Sequence, residues 1–159
     1  MKYTIYNNND IDKKKEIINN IINNMYLLKN HLIDNITNFS EYSDYIILLD
    51  KNFNNNRTYI YETNPTSNLT SYSVNKGEEL SICLVSKKTG EYHDLNLLMY
   101  VVIHEMAHFA CPEIGHGLLF QKIFKFLIEE AININIYIKE DYQKNPVEYC
   151  GMILNSSIV

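Results

Sequence analysis

Val101–Phe120 reads VVIHEMAHFACPEIGHGLLF, and the other segments of the chain take their meaning from it. His104 and His108 stand four residues apart, with Glu105 directly after the first. Four residues is just over one helical turn, so the two imidazoles sit one above the other on one face. Both can reach a single zinc ion at the about 2.0–2.1 Å of a zinc–nitrogen bond. Glu105 falls about 100° further round the helix, where a carboxylate can polarise a metal-activated water without ligating the metal. Two surface histidines around a solvated glutamate would spell the same motif. The flanking residues argue against that: Leu97, Leu98, Met99, Val101, Val102, Ile103, Met106, Ala107 and Phe109 make the helix apolar nearly all round. Histidines and a carboxylate in a buried helix are costly unless a partner satisfies them, and a metal does so.

Downstream, Pro112 stops this helix close to Cys111, and Gly115-His116-Gly117 forms a flexible joint. A second apolar helix is predicted over Leu118–Ala131, with Leu119, Phe120, Ile123, Phe124, Leu127 and Ile128 on its buried face. A catalytic zinc needs three protein ligands and one open position. His116, between two glycines that let the backbone bend toward the metal, is the expected third ligand. It follows His108 by eight residues, against six in the metzincin pattern. Glu129 or Glu130 on the next helix is the rival, the arrangement of gluzincins, although paired acids more often form a solvated helix face. Glu113, beside Pro112, ranks below both.

Upstream, Asp94 is the expected N-cap of the motif helix. Apolar residues at helical spacing (Ile11, Ile18, Ile21, Ile22, Met25, Leu28, Leu32, Ile36) predict a first helix, capped by Asp10 or Asp12, with a break near Asn35–Ser43. Tyr45–Leu49, Thr58–Glu62, Ser71–Val74 and Leu80–Val85 read as strands, with a polar loop over Asn64–Tyr72 and a turn at Asn75-Lys76-Gly77. Ile134–Ile138 alternates and is a last strand candidate. Helix, strands, two helices and strand make one α+β domain over residues 1–159.

HEMAH followed by GHGLLF resembles the SprT-like and WLM group of zincins, in which a Gly-His-Gly-x-x-Phe element opens the helix after the active-site helix. INIYIKEDY resembles the strand that follows in SprT-like domains, so the likeness spans about Asn75–Tyr142. It implies a compact zincin-like metalloprotease domain: a small mixed sheet, an N-terminal helix, the active-site helix and a following helix. It further implies zinc on His104, His108 and His116, Glu105 as general base toward a zinc-bound water, and substrate running along a sheet edge formed by Leu80–Val85. Cellular members cleave proteins crosslinked to DNA and carry DNA-binding extensions. Short free-standing zincins of this type also resemble those of large DNA viruses.

Composition bounds the partners. At 159 residues the chain is long enough for a core without disulfide staples. A net charge of -5 argues against strong nucleic-acid binding by this chain alone, and Lys13-Lys14-Lys15 reads as the solvated start of a helix. The Asn7–Asn9 and Asn54–Asn56 runs suit an AT-rich genome and carry no function. No stretch is apolar for long enough to span a bilayer. Cys83, Cys111 and Cys150 are odd in number and widely spaced, which predicts no disulfide framework and a reducing, intracellular (cytoplasmic or nuclear) compartment. Tyr142 or Tyr149 is a candidate oxyanion donor, although packing is the commoner role of a tyrosine. The sequence thus predicts a zinc metallopeptidase acting on proteins or peptides, endopeptidase before exopeptidase. The alternatives are a non-catalytic zinc-stabilised protein-binding module and a DNA–protein-crosslink repair protease acting with a partner.

Overall fold

The structure, a computed structural model, describes residues 1–6 and 10–158; the Asn7–Asn9 run lies outside them. α1 (Ile11–Asp34) forms where the spacing predicts it, with Ile18, Ile21, Met25, Leu28 and Leu32 buried on one face. Asp10 occupies the N-cap position, but at φ 68° and with no capping bond from its side chain. Two lysines share the buried face. Lys14 is 1% exposed and pairs with the buried carboxylate of Glu62 at 2.9 Å, so the lysine run is not merely a solvated helix start. Lys29 pairs with Asp50 and donates to the Phe53 carbonyl, both at 3.0 Å. Buried cations are tolerated only with such partners.

A 3-10 segment, Ile36–Tyr42, makes the expected break. The strand expected at Tyr45–Leu49 is instead part of α2 (Ser43–Asn52). Its buried residues Ile46 and Leu49, with Phe53 just beyond, are three and four apart, a helical face. A five-residue apolar run has no period that separates strand from helix, and packing against α1 and α3 supplies what the run lacks.

The sheet contains β1 (Tyr3–Thr4), β2 (Tyr59–Glu62), β3 (Tyr72–Val74) and β4 (Glu79–Ile82), in the order β1-β2-β4-β3. The first three in that order are parallel, and β3 runs antiparallel to β4. Along β2, Ile60 and Glu62 point inward while Tyr59 and Tyr61 meet on the outer face, ring centroids 4.7 Å apart. The edge strand is therefore β3, not the Leu80–Val85 segment, which lies inside the sheet as β4. The cause is the turn Asn75-Lys76-Gly77, with φ of 50°, 56° and 106°, which folds β3 back along the free side of β4. Gly77 is also a steric requirement: a Cβ there would lie 3.0 Å from the Asn52 carbonyl and 3.1 Å from the Phe109 ring.

α3 (Leu95–Ala110) crosses the centre of the molecule and packs on α1, α2 and α4 (Leu118–Asn133). Asp94 caps it as expected, its Oδ1 accepting the Leu97 N–H at 2.8 Å. Cys111 ends it in an extended conformation, as the residue before a proline must. Asn52 Nδ2 donates to the Phe109 carbonyl at 2.7 Å, satisfying one of the orphan acceptors of the last turn.

The strand expected at Ile134–Ile138 does not form. Asn135 turns to φ 64°, and Asn96 takes the place of a partner strand by bonding both the N–H (2.8 Å) and the C=O (2.9 Å) of Ile138. The tail forms a hairpin instead, β5 (Val147–Tyr149) and β6 (Met152–Leu154). Its two turn residues, Cys150 and Gly151, have φ of 46° and 86°, the positive pair of a tight hairpin turn. A disulfide joins Cys150 to Cys83, 67 residues away, leaving Cys111 as the buried free thiol. Spacing along the chain could not reveal that pair, which tertiary packing brings together, and the inference of a reducing compartment from unpaired cysteines loses its basis. No helix among the described residues is long and apolar enough to cross a membrane.

Candidate metal centre

α3 presents His104 and His108 on one face, and the loop from Cys111 to Gly117 returns His116 to meet them. The His116 Nε2 lies 3.0 Å from that of His108 and 3.2 Å from that of His104. Three nitrogens around one tetrahedral zinc at about 2.0–2.1 Å would stand roughly 3.3 Å apart, so the donor set fits that ion closely. It is the cluster of metal-type side chains found among the described residues. Burial, then repulsion from His108 and His116, lowers the pKa of His104 to about 3. Burial, then His116 and Lys76, lowers that of His108 to about 4. Both imidazoles are thus neutral at pH 7, the form that can ligate.

The returning loop is fixed at several points. Gly115 adopts φ 90°, while Gly117 is extended and needs no glycine-specific conformation, so one of the two flanking glycines makes the bend. Lys76 Nζ donates to the Glu113 carbonyl at 2.6 Å, and Gln121 Nε2 to the His116 carbonyl at 3.0 Å. Phe120, one turn into α4, touches all three imidazoles. Its ring centroid is 4.3 Å from His108, 4.9 Å from His116 and 5.0 Å from His104.

The glutamates named as rivals are engaged elsewhere. Glu130 bonds His31 of α1 at 2.9 Å, and Glu129 sits 3.9 Å from Lys125 on the exposed side of α4. Neither joins the imidazoles.

Glu105 is 7% exposed and opens on the same cleft, about 590 Å³, whose opposite wall is Ser71, Tyr72 and Ser73 at the β3 edge. Burial raises its carboxyl pKa, and a hydrogen bond with the Ser73 side chain partly offsets the rise. Ser73 gave no signal in the sequence; it stands in a polar stretch, and only the sheet order carries it to the carboxylate. The candidate oxyanion tyrosines are committed to packing and structure. The Tyr149 hydroxyl donates to the Cys83 carbonyl at 2.8 Å and meets Ser71 Oγ, which accepts the Cys83 N–H at 2.9 Å. Tyr142 packs edge-on against Tyr100, centroids 4.9 Å apart.

Comparison with known proteins gives two kinds of likeness. By sequence, the chain is 42% identical over 159 residues to uncharacterized protein R325 of Acanthamoeba polyphaga mimivirus, covering 99% of this chain and 79% of that protein. Uncharacterized protein 136R of Invertebrate iridescent virus 6 is 38% identical over 85 residues, 52% of this chain and 47% of that one. By fold, the chain is similar to Wss1 of Saccharomyces cerevisiae (TM-score 0.62, 16% identity, 85% of this chain and 91% of that one). It is also similar to Wss1 of S. pombe (TM-score 0.54, 16% identity, 82% and 90%). The chain shares its fold with these Wss1 structures. No family model matches the chain.

Proposed function

We propose that this chain, which belongs to one protein family with R325 of mimivirus, is a zinc-dependent endopeptidase. The observation that carries the reading is the convergence of three imidazole Nε2 atoms beside a buried carboxylate at the wall of an open cleft. His104, His108 and His116 would hold the ion through Nε2. When bound, zinc supplies Lewis acidity, lowering the pKa of a water toward ~7 and polarising the scissile carbonyl.

The chain's own residues do the rest. Glu105 takes a proton from the attacking water and returns it to the leaving amine nitrogen. A carboxyl whose pKa is raised by burial is better matched to both transfers near neutral pH than a solvated one. Ser73 faces that carboxylate from the β3 side and favours its charged form. The outer edge of β3 has no strand partner among the described residues, so its backbone groups are free to pair with an extended substrate segment. A peptide bound this way passes along the cleft rather than entering by one end, which favours internal cleavage.

A non-catalytic zinc module is the weaker reading, because a structural site usually closes with a fourth protein ligand and has no use for a buried base. Fluorogenic peptide turnover tests the proposal. Hydrolysis that stops with a chelator and returns with zinc is the expected result. A zinc-loaded protein that cleaves no peptide or protein would overturn it.

A further inference from the structure

A second, smaller cavity of about 140 Å³ lies directly beside the metal centre. It shares His104, Glu105 and Ser71 with the main cleft, so the two are continuous across the reacting groups. The rest of its wall comes from Tyr100 and Val101 of α3, from Tyr149, Met152 and Leu154 of the tail hairpin, and from Thr70 in the loop before β3. Glu105 is the charged member of this wall, and the Tyr149 hydroxyl is spent elsewhere. That of Tyr149 is held by the Cys83 carbonyl and Ser71. Apart from Thr70 and Ser71 at one side, what remains toward the cavity is ring and aliphatic surface. Met152 is 49% exposed there, an apolar side chain that a ligand would cover, and a methionine adapts its shape to what it covers.

We propose that this cavity receives one apolar side chain of the substrate, adjacent to the scissile bond, and so sets the cleavage preference. The inference rests on the peptidase reading above and adds the substrate class: chains with Leu, Met or Phe next to the cleaved bond. The size agrees, since an apolar cavity of roughly 150 Å³ takes a benzene ring. The position agrees too. A carbonyl placed at Glu105 and His104 has its neighbouring side chain within one residue of the opening. Filling such a pocket distinguishes a large apolar residue from glycine by about 10–100-fold in kcat/KM.

The test incubates the zinc-loaded full chain with a peptide library and maps the cleaved bonds by mass spectrometry. Leu, Met and Phe enriched at one fixed position beside the cleaved bond is the expected result. Val101→Phe, which fills the cavity, should reduce the Leu-over-Gly preference by about 10–100-fold. Met152→Lys, on the exposed hairpin where folding is little at risk, should shift the preference toward Asp and Glu. A binding readout stands apart from turnover: in the Glu105→Gln protein, a Leu-containing peptide should shift the Met152 methyl resonance, and its Gly counterpart should not. Cleavage with no flanking preference, or a preference that both variants leave unchanged, overturns the pocket while the peptidase reading stands. No cleavage of any peptide overturns the peptidase reading, and this inference with it.

Discussion

Phe120 stacks on His108 with ring centroids 4.3 Å apart and planes 27° from parallel, and the same ring abuts the other two imidazoles. One side chain of α4 therefore fixes the orientation of donors that come from α3 and from the loop between the helices. Groups that orient ligands in this way typically contribute 10–100-fold to metal affinity. Phe120→Leu, which keeps apolar bulk but not the flat face, should weaken zinc binding by roughly tenfold with the circular dichroism spectrum unchanged. Competition against a graded chelator measures it.

The ligand set itself separates by mutation. His116→Ala should lose zinc by more than ~100-fold, because it removes a donor rather than its support. It is exposed, so the fold should survive the change. Glu129→Ala should leave both zinc and stability near wild type. Glu130→Ala should keep zinc but lower stability by about 0.5–1.5 kcal/mol, through the lost bond to His31. Zinc content after dialysis, with urea unfolding of the same proteins, reads both effects. Metal lost from a glutamate variant and retained by His116→Ala would reverse the assignment.

Glu105→Gln isolates the proton transfers. The amide fills the same space beside Ser73 but cannot accept a proton from water. Turnover of a fluorogenic peptide should fall by about 10²–10⁴-fold with zinc content unchanged. Full activity with metal retained would remove Glu105 from its role.

How much of this was legible beforehand depends on whether the physics is local. His104 and His108 share one helix, so their spacing alone places them together. His116 follows from ligand chemistry and from its two flanking glycines, of which the fold uses only Gly115 for a positive φ. Phe120 stood in the quoted motif, but its contact with three imidazoles depends on the angle at which α4 leaves the loop. Ser73 and the tail hairpin depend on sheet order and long-range packing, which leave no periodic trace. Tyr45–Leu49 and Ile134–Ile138 failed as strands for the same reason: a short run takes the form its neighbours pack against, and Asn96 closed off the second by bonding its backbone. Lys14 looks in sequence like any surface lysine, because its buried partner Glu62 lies 48 residues away.

Association with DNA is expected to be weak. Non-specific binding requires neutralising phosphates, and a chain of net charge -5 has no cationic excess to do so. Fluorescence anisotropy at physiological salt should give a Kd no tighter than about 10⁻⁴ M for single-stranded DNA. Tight binding, or proteolysis that switches on only with single-stranded DNA, would support a crosslink-repair protease instead.

His93 is buried, and its Nε2 accepts the Cys150 N–H at 3.1 Å, so the ring holds the disulfide-bearing turn only while that nitrogen is unprotonated. Burial lowers its pKa below 6.5, while Glu148 and Asp94 oppose the shift without reversing it. Between the two pKa values the unfolded chain binds more protons than the folded one, so stability rises with pH there. The contribution is complete above about 6.5 and is lost as pH falls from that value through the lower folded pKa. In metal-free protein His104 and His108 act in the same direction, their pKa values being lowered to about 3 and 4, so the effect of His93 must be read as a difference. His93→Gln, whose amide oxygen can still accept the Cys150 N–H, should lose less stability than wild type between pH 7 and pH 5. Urea midpoints at the two pH values, compared between the two proteins, provide the measurement. Equal losses in both would mean that His93 does not couple hairpin docking to protonation.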